Sequence, residues 1–292
     1  MNREKIKLGK EKETLLIPLY CKALETKKEL PIIKDEKSVE IVNSIEYDFE
    51  ELDIPKQTHV TICMRAKQFD NYVRKYLNEE PASIAIHLGC GLDSRFNRVD
   101  NNMVEWYDLD FPDVIELRKK FYHETNRYHF IPSSVTELDW LDSINAKNRP
   151  VIILAEGLFM YLKEEEIRSL LKAFVDKFPV CIIVFDCYSK ITAKGIKNHP
   201  SIKKTGAKIN WGIDNAKDIE SWYNNIHFVE EWYFTQSDEI NKLDFGYRLL
   251  FKLMGLFPVA RKAHRILVFQ LGNKNRSVLT LPHSGLAGSL AF

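Results

Sequence analysis

Short runs of apolar and β-branched residues alternate with helical patterns along the chain from residue 83 onward. Each run has the length of a strand, and VIILAEG is continuous in apolar residues, as a parallel strand buried on both faces should be. Strands and helices that alternate at this spacing indicate right-handed βαβ units and a parallel sheet. The five runs are SIAIHL (83–88), MVEWYDLD (103–110), RYHFI (127–131), VIILAEG (151–157) and CIIVFD (181–186).

Two intervening segments predict helices, and two later runs predict further strands. Pro112 stands where a helix can begin, and residues 164–178 carry an apolar stripe at helical spacing. The runs at 226–234 and 265–271 are expected to complete one edge of the sheet. The sequence therefore predicts an α/β fold with a mostly parallel, seven-stranded sheet and helices on both faces.

The regions around this alternating pattern differ from it. Residues 1–80 show helical patterns such as AKQFDNYVRKYL (66–77) and no strong strand, so we expect an N-terminal helical cap packed on the sheet. The core is expected to span 81–271, with a substrate-lining insertion around 190–225. Residues 272–292 shift to Gly, Ser and Leu with little charge, and we expect them to form a poorly ordered tail.

The overall charge and the cysteines argue against several classes of protein. With 42 basic and 41 acidic residues, the chain has no electrostatic basis for binding nucleic acid or an acidic membrane. It has no apolar run of about 18 residues, the length that a spanning helix needs. The charged N-terminus lacks the apolar core of a signal peptide, so export is not expected. Five scattered cysteines without a CxxC pair predict reduced thiols in a cytoplasmic protein and argue against a zinc site.

The first predicted strand runs into a glycine-rich turn in IAIHLGCGLDSRF (84–96). Ligands of open α/β sheets bind beyond the carboxyl ends of the strands, and Gly89 and Gly91 would let a ligand approach the backbone there. The third glycine of a dinucleotide-binding motif is absent, and Asp93 suits an ammonium or a sulfonium better than a phosphate. Two structural alternatives remain: an ordinary strand–helix turn, and Asp93 as the cap of the next helix.

The second predicted strand ends in two aspartates, about 20 residues after the turn. An acid at this place binds ribose hydroxyls in such folds. We favour Asp110 for this role and leave Asp108 as a cap of the next helix. A ribose site without phosphate recognition, beside spare carboxylates, indicates S-adenosylmethionine. The alternative of the same fold class is an NAD(P)-linked oxidoreductase, which the missing third glycine and the absence of a Tyr-x-x-x-Lys pair disfavour.

Three motifs in order carry a more specific signal: HLGCGLDSRFNRVD, WYDLDFPDVIELRKKF and ILAEGLFMYLKEEEI. With them the chain resembles the leucine carboxyl methyltransferase family, and it is most similar to the family's bacterial branch of polyketide-type O-methyltransferases. The segments TLLIPLYCKALETKKELPIIKD, MRAKQFD and KKTGAKINWGIDNAKDIESW fit the same branch, so the resemblance covers roughly residues 13–271. It implies a class I, Rossmann-like methyltransferase that uses S-adenosylmethionine and has a helical N-terminal cap.

The resemblance also implies which residues bind the cofactor. A guanidinium can fork onto the methionyl carboxylate, and an aspartate can accept hydrogen bonds from the ribose. Two structural alternatives remain, an Arg65–Asp70 ion pair on the cap and Glu156 as a paired structural acid. The family's cofactor positions fall on Arg65, Gly89, Asp110 and Glu156, with the adenine-contacting pair on Val135 and Thr136.

Two aromatic residues are candidates for the acceptor side of the site. Tyr161, five residues after Glu156, is the candidate that the resemblance gives for lining the methyl-transfer site, where it would orient the acceptor. Trp211 is expected near the substrate pocket, with a core or lid-anchoring role as the alternative. His87 and Cys90 are interpreted as core residues.

The resemblance implies methyl transfer to a carboxylate or hydroxyl of a small molecule. A carboxylate, with a pKa of about 4, is already ionised at neutral pH, whereas a phenol near 10 would gain from a base. The alternatives are a catalytically silent protein that binds S-adenosylmethionine and, less favoured, a methyltransferase acting on a protein's C-terminal carboxylate. No spacing rule identifies the acceptor, because the cap and the 190–225 segment would select it.

Overall fold

Seven strands form one sheet in the computed structural model, which describes residues 12–196 and 208–273. Their order across the sheet is β3-β2-β1-β4-β5-β7-β6, and β7 is antiparallel to both of its neighbours. The predicted α/β fold with a mostly parallel sheet is confirmed. The strands are β1 (Ile84–Leu88), β2 (Glu105–Asp110), β3 (Tyr128–Pro132), β4 (Val151–Ala155), β5 (Val180–Tyr188), β6 (Ile226–Tyr233) and β7 (His264–Gly272).

The helices precede these strands or connect them. The segment predicted at 66–77 lies inside a helix of 24 residues, and the stripe predicted at 164–178 lies on a helix that ends one residue earlier. The helices are α1 (Leu16–Thr26), α2 (Glu36–Ser44), α3 (Lys56–Glu79), α4 (Arg95–Val99), α5 (Pro112–Arg118), α6 (Glu164–Lys177), α7 (Lys190–Ile196), α8 (Phe245–Leu256) and α9 (Pro258–Arg261).

Apolar side chains on the two faces of the sheet form two separate clusters. One contains residues of the cap helices α1 to α3 together with strand residues such as Trp106 and Ile152. The other contains the stripe of α6, from Ile167 to Phe178, together with strand residues such as Ile86 and Ile153. The strands β1 and β4 are buried along their whole length because both of their faces are covered.

Local sequence explains where several helices begin. The Asp35 carboxylate accepts a hydrogen bond from the Ser38 amide and caps α2. Pro112 is the first residue of α5, where its missing N–H is not needed. Three glutamates in the first turn of α6 face the positive end of the helix dipole.

Parts of the sequence-based organisation lie beyond what the structure describes. Residues 274–292 of the expected tail and 197–207 of the expected insertion fall outside the described residues, whereas Gly272 ends β7. Within the described ranges, every helix is too short or too polar to cross a membrane.

Candidate active site

The predicted cofactor residues lie along one edge of the sheet, where the parallel strands end. Gly89 follows β1 and Glu156 follows β4, and these two strands are neighbours although β2 and β3 come between them in sequence. The strand order therefore reverses between β1 and β4, which is where open α/β sheets bind ligands. Asp110 ends β2, and Val135 and Thr136 follow β3. From β3 to β4 this row spans about 14 Å, at roughly 4.8 Å per strand.

The glycine turn has a backbone that only glycine adopts easily. Gly89 and Gly91 have φ angles of +61° and +49°, in the left-handed region. A side chain at Gly89 would lie 3.1 Å from the side chain of Leu158, and one at Gly91 would lie 3.0 Å from Leu15. The turn is therefore a specialised, tightly covered loop.

Arg118, the last residue of α5, stabilises this turn by hydrogen bonds. Its guanidinium donates to the carbonyl oxygens of Gly91 at 2.8 Å and Asp93 at 2.7 Å. It also pairs with the Asp108 carboxylate at 2.5 Å. The prediction of Asp108 as a helix cap is wrong: its carboxylate lies in the interior and accepts from Arg118, Tyr128 and the Trp106 indole.

Asp110 is tied to the turn and keeps room for further hydrogen bonds. One carboxylate oxygen accepts from the Gly91 amide and the other from the Phe111 amide, each at 2.8 Å. A carboxylate has about four acceptor positions, so two remain for a ligand hydroxyl pair. Burial raises the pKa of Asp110 despite these two hydrogen bonds.

Val135 and Thr136 lie three and four residues beyond the end of β3, whose last residue, Pro132, is paired with Asp110. Val135 is buried and its carbonyl accepts from the Trp140 indole at 3.2 Å, whereas Thr136 is exposed and contacts Ser134. The pair therefore lies at the β3 end of the row. A contact between this pair and the adenine ring stays a prediction.

Arg65, from α3, reaches over the ends of β4 and β5. Its Nε donates to Glu156 at 3.0 Å and its Nη1 to Asp186 at 2.9 Å. The alternative Arg65–Asp70 ion pair is wrong, because Asp70 pairs with arginines of α4. Gly157 has φ +66°, and a side chain there would lie 3.1 Å from Arg65 Nη2, so glycine makes room for the guanidinium.

Neighbouring charges keep Arg65 and Asp186 ionised despite their burial. Burial alone would lower the pKa of Arg65, but Asp186 and Glu156 outweigh it and raise the pKa above its ordinary value. Burial would raise the pKa of Asp186, but Arg65 and His264 outweigh it and the pKa is lowered. Arg65 Nη2 makes no hydrogen bond to the described residues, so its N–H groups can bind a carboxylate.

A buried ion network joins the cap to this edge of the sheet. Arg95 of α4 pairs with Asp70 of α3 at 2.9 Å, and also with Asp93 and Glu156. Arg98 pairs with Asp70 at 2.7 Å and with Asp35 at 2.8 Å. Members of the buried ion network are Lys22, Asp35, Asp70, Asp93, Arg95, Arg98 and Glu156.

Asp93 belongs to this network and does not cap α4. The cap residue of α4 is Ser94, and no side chain caps the helix there. The Asp93 carboxylate contacts Lys22 at 2.5 Å, Arg98 at 2.9 Å and Arg95 at 3.2 Å. A direct contact between Asp93 and the cofactor stays a prediction.

Two tyrosines lie near the carboxyl ends of β4 and β5: Tyr161 in the short helical turn after β4, and Tyr188 at the end of β5, where its ring packs against His264. Burial raises the pKa of both tyrosines, so their hydroxyls stay protonated at neutral pH. The charges of Arg65 and Asp186 influence the pKa of both tyrosines, Arg65 lowering it and Asp186 raising it. Neutral tyrosine hydroxyls can donate a hydrogen bond to an acceptor oxygen.

Trp211 lies in the core cluster on the α6 face. It is 3% exposed, and its ring packs against Phe185 and Trp222. Its buried indole N–H has no hydrogen-bond partner within residues 12–196 and 208–273. The core alternative fits this placement, and a contact with the substrate stays a prediction.

Glu25, His59 and Cys63 bring ligand-type atoms within 4.8 Å of one another in the cap. The Glu25 carboxylate accepts from His59 at 2.7 Å, from Lys28 at 2.6 Å and from the Ile32 amide at 2.8 Å. Burial raises the pKa of the Cys63 thiol well above its usual range. These contacts join α1 to α3 as a hydrogen-bonded junction.

Sequence reasoning missed four residues of the site: Gly157, Asp186, Arg95 and His264. Asp186 ends the fifth predicted strand, CIIVFD, so the rule that found Asp110 could have found it. Gly157 follows Glu156 and could have been noted beside it. Arg95 stands out as a charge in the glycine-rich turn motif, but its partner Asp70 is distant in sequence, so its role could not be assigned. No sequence signal indicates His264, whose partner Asp186 is also distant.

The geometry fits S-adenosylmethionine. Arg65 offers free N–H groups and Asp110 offers free acceptor positions, whereas a ligand contact at the two turn glycines, which Leu158 and Leu15 cover, stays a prediction. The sequence model of the leucine carboxyl methyltransferase family matches residues 16–175, which are more than half of the 292 residues. The chain belongs to this family.

Relatives of the chain agree with this membership. It is 34% identical to the tetracenomycin polyketide synthesis O-methyltransferase TcmP of Streptomyces glaucescens, over 90% of this chain and 98% of that protein. It is 29% identical to the S-adenosyl-L-methionine-dependent methyltransferase dpfgK of Gibberella zeae, over 80% of this chain and 85% of that one. The protein is therefore a methyltransferase that uses S-adenosylmethionine.

A solved structure supports the fold. The crystal structure of a candidate methyltransferase from Thermobifida fusca superimposes with a TM-score of 0.56 at 14% identity, covering 88% of this chain and 95% of that one. At this identity the likeness concerns the Rossmann-like fold alone.

Proposed function

We propose that this family member transfers the methyl group of S-adenosylmethionine to a carboxylate or hydroxyl oxygen of a small molecule. The observation that carries the proposal is the row formed by Asp110, Gly89, Glu156 and Arg65 at the reversal of strand order. The relatives TcmP and dpfgK, both methyltransferases of similar length, support the reaction class.

The residues of the row would each hold one part of the cofactor. Arg65 Nη2 would bind the methionyl carboxylate, Asp110 would accept from the ribose hydroxyls, and Val135 and Thr136 would contact the adenine. The bound cofactor supplies an electrophilic methyl group. The protein supplies alignment and excludes water, and the half-buried Tyr161 hydroxyl would orient the acceptor oxygen.

We further propose that the cap and the 190–225 segment select the acceptor. Arg65 belongs to α3 of the cap, and Asn210 of the segment donates a hydrogen bond to the Tyr161 carbonyl at 2.7 Å. The cytoplasmic location expected from the cysteines also stays a proposal. All five thiols are free and buried.

Labelled cofactor tests the reaction. Incubation with methyl-labelled S-adenosylmethionine and a protein-free metabolite extract should give a labelled small molecule. Release of the label as methanol in mild base would identify a methyl ester, and retention would identify an ether. A protein that binds the cofactor but labels nothing would be the catalytically silent alternative, and label found only in a proteome fraction would indicate a protein carboxylate as acceptor.

Asp110→Ala is expected to weaken binding of S-adenosylhomocysteine about 10- to 100-fold, because two hydrogen bonds from ribose to a carboxylate are lost. Calorimetry measures the dissociation constant. Glu105→Ala, at the other end of β2 and away from the row, is the control and should bind as the wild type does. An Asp110→Ala protein that is folded and binds normally would contradict the ribose assignment.

Tyr161→Phe is expected to lower kcat about tenfold or more while leaving cofactor binding within about twofold, because only the hydroxyl that orients the acceptor is removed. The measurement compares initial rates with the labelled product identified above. Full turnover in this variant would make the hydroxyl irrelevant to the reaction.

A further inference from the structure

His264 is the first residue of β7 and pairs with Tyr188 of β5 across the sheet. Its Nε2 lies 2.7 Å from an oxygen of Asp186. The imidazole packs between the rings of Tyr188 and Phe234, with ring centres 4.6 and 4.7 Å away. The packing on both sides prevents the ring from turning away from Asp186.

Asp186 connects this histidine to the proposed carboxylate-binding group. One of its oxygens accepts from the Gly157 amide at 2.6 Å. The other accepts from Arg65 Nη1 at 2.9 Å and from His264. A carboxylate with partners on both oxygens has one orientation, so Arg65 Nη1 and the Gly157 amide are held in place together.

The protonation states agree with a donor role for His264. Burial lowers the pKa of His264, although Asp186 opposes the change, so the ring is neutral at pH 7. The pKa of Asp186 is lowered, chiefly because Arg65 outweighs the effect of burial, so this group is ionised. A neutral ring that faces a carboxylate carries its proton on the facing nitrogen, here Nε2.

We propose that His264 is a positioning residue for the amino-acid end of the cofactor. It fixes Asp186, and Asp186 fixes the guanidinium of Arg65 so that Nη2 faces the methionyl carboxylate. The proposal rests on the proposed function. The proposal gives β7 a supporting role in the cofactor site, although this strand lies far from the family motifs in the sequence.

Two ligands separate this role from a general structural one. S-adenosylhomocysteine carries the amino-acid group, whereas 5′-methylthioadenosine has the same adenosine and thioether sulfur without it. If His264 acts through Arg65, its loss should weaken binding of the first compound and leave the second unchanged. Calorimetry gives both dissociation constants for each variant.

Two complementary substitutions separate the hydrogen bond from the packing. His264→Phe keeps a ring between Tyr188 and Phe234 and removes the donor, and we expect S-adenosylhomocysteine to bind about tenfold more weakly. His264→Gln keeps a donor at the reach of Nε2 and removes the ring, and we expect affinity within about threefold of the wild type. Both variants should bind 5′-methylthioadenosine as the wild type does.

Three results would overturn the proposal. Normal binding of S-adenosylhomocysteine by His264→Phe would remove the role of the hydrogen bond. Equal weakening of both ligands in His264→Phe would show a structural role only. A wild-type protein that binds neither ligand would refute the proposed function, and the role of His264 with it. If His264→Phe does not fold, His264→Ala, which also lacks the donor, takes its place and is compared with His264→Gln on the same two ligands.

Discussion

Arg65→Met is expected to weaken binding of S-adenosylhomocysteine by about 100-fold and to abolish detectable methyl transfer at ordinary cofactor concentrations. The substitution removes the N–H groups that we propose to bind the methionyl carboxylate. It also leaves Glu156 and Asp186, its two partners at 3.0 and 2.9 Å, without that cation, so two carboxylates then repel the carboxylate of the ligand. Calorimetry at two salt concentrations measures the loss and its electrostatic part.

Arg65→Lys is the matched control for charge. It keeps one cation but cannot contact Glu156, Asp186 and a ligand in a fixed fork, so we expect a loss between those of the wild type and Arg65→Met. Binding of S-adenosylhomocysteine by a folded Arg65→Met protein within about threefold of the wild type would refute the assignment of Arg65 to the cofactor.

Arg95→Met is expected to lower the free energy of unfolding at pH 7 by about 3–5 kcal/mol. Arg95 is fully buried and pairs with Asp70, Asp93 and Glu156, so its removal leaves buried carboxylates short of one cation. Urea denaturation followed by circular dichroism measures the change. Lys172→Met breaks an exposed pair with Asp176, which solvent screens, and should leave the free energy of unfolding almost unchanged.

Acid should reduce the difference between Arg95→Met and the wild type. Burial raises the pKa of Asp70, but Arg98 and Arg95 outweigh it, so the folded-state pKa is lowered. Such a carboxylate stabilises the fold above its unfolded pKa of about 4, and the contribution is lost as the pH falls below that value. Because Arg95→Met keeps less of this stabilisation, its denaturation midpoint should approach that of the wild type below about pH 4. A gap that stays constant or widens there would contradict the assigned charge states.

The strands were predictable because a sheet covered on both faces requires continuous apolar runs. VIILAEG and CIIVFD gave β4 and β5 within two or three residues. The antiparallel direction of β7 was not predicted. The direction of a strand depends on the preceding connection, here through α8 and α9, and the residues RILVFQL do not indicate it. The length of α3 was underestimated because its first turns include polar residues such as Gln57 and Thr58.

The position of the proposed cofactor row was predictable because each of its acids and glycines closes a strand or directly follows one. Gly89 and Asp110 needed only this rule, and Asp186 would have followed from it too. The pairings were not predictable. Asp93 and Asp108 had the local pattern of helix caps, but Lys22 and Arg118 compete for these carboxylates in the interior, where an ion pair is stronger than a cap.

The buried ion network limits how acceptor preference can be changed by exchanging segments. Arg98 contacts Asp35 and Asp70 of the cap, and Asp93 contacts Lys22. A chimera that took residues 12–79 from a relative without these three partners would keep the Arg98–Asp93 pair, but Arg98 would lose two carboxylates and Asp93 would lose a lysine. Grafts must therefore carry those partners along, so new acceptor specificities should be more accessible through point changes than through wholesale replacement of the cap.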